Sequence, residues 1–95
     1  SHGKEDPRYF RRFGTRVTAT RNYFQTAVIC ASDCAIGAEG VASVGQELID
    51  AKFANPYDHA GAILDLMERG VVTEGFVAKL APALVERKIL PAGFP

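Results

Sequence analysis

The sequence predicts an all-α domain, a compact antiparallel bundle of about five to six short helices. Three observations predict it. Apolar residues recur at three- and four-residue steps in both halves of the chain. Asp6-Pro7 and Asn55-Pro56 have the form of helix starts, a capping side chain followed by proline at the first helical position. Glycines fall where such helices should end, above all at Gly70.

The first element is "KEDPRYFRRFG". Asp6 caps, Pro7 opens the helix and Gly14 is expected to stop it, with Tyr9, Phe10 and Phe13 on its inner face. A second helix begins near Thr15 or Thr18. "TRVTATRNYF" is rich in β-branched residues that favour strands. The steps from Thr20 through Phe24, Ala27, Val28, Ala31, Cys34 and Ala35 are helical, and the segment exceeds ordinary strand length. A turn is expected at Gly37 to Gly40. Val41, Val44, Leu48 and Ile49 then mark a third helix ending near Phe53.

Asn55-Pro56 is the sharpest boundary. Asp58 follows at the third helical position, where its charge meets exposed amides and the positive end of the helix dipole. Ala60, Ile63, Leu64 and Met67 form the apolar stripe, and Gly70 supplies a left-handed cap. Val71 and Val72 are expected to enter the core. Thr73 caps the last helix, whose inner face is Phe76, Val77, Leu80 and Leu84, with a kink or restart at Pro82.

Composition narrows the class. The chain has 95 residues, 47% hydrophobic and 23% charged, which suits one globular domain. Residues 1–3 read as a tag remnant, and 4–95 as a single helical domain. No apolar run nears the roughly 20 residues of a membrane span, and the polar, basic start does not resemble a signal peptide. Cys30 and Cys34 are four apart, poor geometry for a disulfide within one helix. Thiols, and hence an intracellular, cytoplasmic location, are expected.

Charge is unevenly spread although the total is zero. Residues 4–21 hold Lys4, Arg8, Arg11, Arg12, Arg16 and Arg21 against Glu5 and Asp6, six minus two, or +4. The rest holds five Lys/Arg and nine Asp/Glu, or −4. Such a layout suits electrostatic contact with a protein, the alternative being a solvated arm without a partner.

Catalytic and metal chemistry find little footing. Cys30, Cys34 and His59 fall short of a zinc ligand set, and the cysteines read as small buried hydrophobes. His59, in the first turn of its helix, is expected to be partly exposed or bonded at the cap, with nothing to bring it to a thiol. "GAEG" lacks the Lys and Ser/Thr of a phosphate loop. Neither cofactor nor metal is expected, nor an enzymatic activity. The Arg/aromatic head supports the alternative function, binding of RNA or single-stranded DNA.

The segment "AILDLMERGVVTEGFVAKLAPALVER", with its leucine-rich helix, charged-Gly break and Thr-Glu restart, resembles the later helices of death-fold domains, either death-effector-like or of the bacterial effector-associated adaptor type. The likeness covers about a third of the chain. It implies a non-enzymatic adaptor that binds a like domain through surface charge. Arg8, Arg11, Arg12 and Arg16 would form one surface, and Glu47, Asp50, Asp65 and Glu68 the opposing one.

Overall fold

A computed structural model describes residues 7–33 and 37–94, with side chains described from Thr18 onward. The described residues form four helices and no strand: α1 (Pro7–Asp33), α2 (Gly37–Asp50), α3 (Pro56–Glu68) and α4 (Glu74–Glu86). Helix α1 packs on both α2 and α3, and α4 packs on α2. The shared core is built from Phe24 and Val28 of α1, Val41 and Leu48 of α2, Ile63 and Leu66 of α3, Leu80 and Leu84 of α4, and the tail residues Ile89 and Leu90.

The helix count is four rather than five to six, and two junctions explain the difference. Gly14 does not stop a first helix, and no new one starts at Thr15 or Thr18. Both predicted segments are one helix of 27 residues, about 40 Å at 1.5 Å per residue. A glycine inside a helix costs only about 1 kcal/mol relative to alanine, less than two additional uncapped ends would. Pro82 likewise lies within α4 without ending it. Ala78, whose carbonyl loses its helical donor to the proline ring, is exposed, as is Pro82, so water can satisfy it. No turn falls at Gly37 to Gly40. Those residues already belong to α2, and Gly37 opens it with φ 61°.

Helix α3 starts as the sequence requires. Asp58 N–H donates to Asn55 Oδ1 at 2.9 Å, and Asn55 N–H donates to Asp58 Oδ2 at 3.0 Å. Thr73 Oγ1 accepts from Phe76 N–H at 3.0 Å and caps α4.

Three helices end the same way, and only one of the three endings carries the expected glycine. After α3, Gly70 takes φ 74°, its N–H donates to Met67 O, and Val71 N–H donates to Leu66 O. After α2, Lys52 takes φ 64°, with Lys52 N–H on Ile49 O and Phe53 N–H on Leu48 O. After α4, Lys88 takes φ 63°, with Lys88 N–H on Val85 O and Ile89 N–H on Leu84 O. All three are Schellman turns, which recover two orphan carbonyls each. The lysines hold a left-handed conformation that a Cβ disfavours by about 1–2 kcal/mol.

Gly45 is required for a different reason. A Cβ there would lie 2.5 Å from Ile89 Cγ2 and 3.2 Å from Phe24 Cε1, and both neighbours are buried. A Cβ at Gly61, in mid-α3, would meet nothing within 4 Å.

Thermal melts of four variants should separate these effects. Lys52→Gly and Lys88→Gly should each stabilise the fold by about 0.5–1 kcal/mol, after the glycine's larger unfolded-state entropy offsets part of the relieved strain. Gly45→Ala should lower stability by about 1–2 kcal/mol despite alanine's better helix propensity, because overpacking outweighs it. Gly61→Ala should raise stability by up to about 1 kcal/mol.

Candidate functional site

The one buried titratable side chain among the described residues is His59, 2% exposed. It is neither partly exposed nor bonded at the cap, as its place in the first turn suggested. The capping pair at Asn55 and Asp58 sets the start of α3, and His59 falls on the inward side with Ile63 and Leu66. Its ring stacks on Phe24 of α1, centroids 4.0 Å apart and planes 17° apart. Its Nε2 lies 3.1 Å from Gly45 O of α2. A carbonyl can only accept, so Nε2 carries the hydrogen and donates. The missing side chain at Gly45 is what lets the imidazole and Ile89 reach this part of α2 together.

Burial pushes the His59 pKa down. The bond to the Gly45 carbonyl and the nearby charge of Asp58 oppose that shift without cancelling it. The ring is therefore neutral at pH 7, with its one donor committed to the backbone.

Gln25 makes a second polar tie across the bundle. Its Nε2 donates to Ala62 O at 2.9 Å and to Asp65 Oδ2 at 3.0 Å, joining α1 to α3. Arg69 also grips Asp65, Nη2 to Oδ2 at 2.9 Å. The Gln25 bond, followed by the Arg69 and Arg21 charges, holds the Asp65 carboxyl below its usual range against partial desolvation.

The acidic candidates fall on two helices. Glu47 is exposed on α2 and accepts from Tyr23 Oη–H at 3.0 Å, which raises the Tyr23 phenol's pKa. Asp50 is exposed on α2 and accepts from Gln46 at 2.7 Å. Glu68 is exposed on α3. Asp65 is half-buried, its carboxylate engaged by Gln25 and Arg69. Arg8, Arg11, Arg12 and Arg16 fall on the helical backbone of α1, and their side chains lie outside the described residues. Cys30 is a free, half-buried thiol, less enclosed than expected; Cys34 lies outside the described residues.

Other surface features escaped the sequence. Arg87 pairs with Glu39, 48 positions apart, at the edge of a cleft of about 410 Å³ that Ala42, Ser43 and Ile89 also line. Leu64, expected in the core stripe of α3, is 47% exposed, and Val71, expected in the core, is 43% exposed. Phe53 and Tyr57 are exposed as well. A groove of about 280 Å³ opens beside them, lined by Thr20 and Arg21 of α1 and by Tyr57, Asp58 and Gly61 of α3.

Among the described residues no group of three or more His, Cys, Asp or Glu could hold a metal ion, and no helix is long and apolar enough to cross a membrane. No protein-family model, curated protein or solved structure matches the chain.

The His59 site generates a pH prediction. Protonation is tighter in the unfolded chain, where histidine titrates near about 6.5, than in the fold, where the pKa is lower. The stability contributed by neutral His59 is thus fully present above about pH 6.5 and is lost as pH falls from there through the folded value. Denaturant melts from pH 7.5 to 5 should show that decline. His59→Phe should flatten it, while His59→Ala should cost about 3 kcal/mol at neutral pH through a cavity and an unpaired carbonyl.

Proposed function

We propose that the chain is a non-enzymatic protein-interaction module that associates through oppositely charged surfaces, with copies of itself among its partners. The observation that carries this reading is the segregation of charge. Residues 4–21 sum to +4 and the remainder to −4. Arg21, the last cation of that set, is exposed on α1. Glu47 and Asp50 are exposed on α2, and Glu68 on α3. One end of the chain is thus rich in cations, and the bundle carries the anions.

The polar interior supports the same reading. His59 and Gln25 spend their hydrogen-bonding groups on tying helices together. A general base needs a free lone pair within reach of a substrate proton, and a buried imidazole stacked on Phe24 is poorly placed to offer one. The segment running from α3 into α4 is the part that resembles death-fold domains, and an adaptor role in the cytoplasm agrees with it. The 27-residue α1 departs from the bundle of five to six short helices that the sequence predicts.

Light scattering across ionic strength tests the proposal. Mean mass should exceed the 10.2 kDa monomer at low salt and high protein concentration. It should fall toward the monomer as the Debye length shrinks from about 30 Å at 0.01 M to about 3 Å at 1 M. A monomer at every salt and concentration would remove the homotypic form. A mobility shift of RNA or single-stranded DNA that depends on the Arg/aromatic segment would favour a nucleic-acid partner instead.

A further inference from the structure

We infer that the outward face of α3 pairs with the same face of a second copy of this chain, antiparallel and about a twofold axis. The inference rests on the self-association proposed above and names a surface that performs it. Tyr57, Gly61, Leu64 and Glu68 follow one another at four, three and four residues, so they share one face of α3. All four are exposed, Tyr57 at 75% and Leu64 at 47%. The side that buries His59, Ile63 and Leu66 lies opposite. Asp58 and Asp65 lie off this face and are engaged within their own bundle, by the Asn55 cap and by Gln25 and Arg69. Among the described residues, neither the Tyr57 hydroxyl nor the Glu68 carboxylate has a side-chain partner.

The face complements itself, and this selects the occupant. With two α3 helices antiparallel and the twofold axis between Gly61 and Leu64, position 61 of one copy meets 64 of the other, and 57 meets 68. The partner's Leu64 then seats over Gly61, where the space a Cβ would take is open. The groove of about 280 Å³ beside Gly61 has room for that one side chain. The Tyr57 hydroxyl donates to the partner's Glu68, a neutral donor on a charged acceptor. Arg21, exposed on the rim of the same groove beside Tyr57 and Gly61, brings a cation to that carboxylate. Symmetry makes every one of these contacts twice. The parallel arrangement has none of them: it sets leucine on leucine, leaves the glycine opposite a glycine, and brings the two Glu68 carboxylates together. The antiparallel one keeps those carboxylates about 16 Å apart along the axis, at 1.5 Å per residue. One face of a 13-residue helix is small beside the roughly 1,200–2,000 Å² of standard interfaces, so the dimer is weak and forms at high concentration. Its two ion pairs at the solvent edge make it weaker still in salt.

Sedimentation of variants tests the pairing, and circular dichroism melts at dilutions where the chain is monomeric confirm that each variant folds. Wild type should approach twice the 10.2 kDa monomer at low salt and high concentration and grow no further. Leu64→Glu should weaken association at least about tenfold. Gly61→Leu should weaken it as much while melting no lower than wild type, because the space that admits the partner's Leu64 also admits a side chain of its own. Glu68→Arg should weaken it by setting two cations together, and adding Arg21→Glu in the same chain should restore it. Wild-type association by Leu64→Glu or Gly61→Leu would overturn pairing through α3 and leave the charge-led module standing. A double variant that does not recover would overturn the antiparallel register. Growth beyond the dimer would overturn the closed twofold pairing. A wild type that stays monomeric would overturn this inference together with the homotypic reading.

Discussion

The bundle depends on the meeting of His59, Gly45 and Phe24. Three helices converge there: α3 contributes the imidazole, α2 the carbonyl and α1 the stacked ring. Ile89, from the tail after α4, closes over the same glycine. A buried hydrogen bond contributes only about 1 kcal/mol net, but leaving either partner unpaired would cost about 1–3 kcal/mol. The contact therefore acts by excluding alternatives. A rotated α3 or a slid α2 would strand a polar group in the core. Gln25 repeats the logic a turn away, where its amide reaches the α3 backbone at Ala62. Two polar ties of this kind set the register of helices whose apolar contacts, mostly Ala, Val, Ile and Leu, discriminate weakly between neighbouring alignments.

Much of this architecture was legible in the residues. The start of α3 could be read from Asn55, Pro56 and Asp58, because capping is local chemistry. Helical character in the first half was also legible, since periodicity outweighed the β-branched threonines and valine. The helix count was not, because Gly14 and Pro82 are residue types that commonly end helices and here do not. Whether such a residue ends a helix depends on what the following residues could gain by turning away. The ends at Lys52 and Lys88 were hidden for the opposite reason: a lysine carries no mark of left-handed backbone, which here goes with the turn bonds of Phe53 to Leu48 and of Ile89 to Leu84, and after α4 with the burial of Ile89 as well.

The candidate site was legible as charge and illegible as shape. Acidic residues on α2 and α3 follow directly from the sequence. That Asp65 is bonded by Gln25, 40 positions away, does not. Leu64 and Val71 looked like core residues because helical spacing identifies apolar positions without saying which are covered. In a bundle where α3 meets α1 on one side, a wide apolar arc exceeds what its neighbour can cover. His59 was misplaced by the same limit. A polar residue near a helix start is usually solvated, and only the gap left by a glycine on another helix could draw it inward.

The stack of His59 on Phe24 has a use at the bench. Two aromatic rings held nearly parallel 4.0 Å apart place the imidazole in the shielding region of the benzyl ring current. Its carbon-bound protons should resonate upfield of an ordinary histidine's and return to the usual position whenever α1 and α3 separate. The protein thus carries its own magnetic gauge of interior integrity, readable in a one-dimensional proton spectrum without any label.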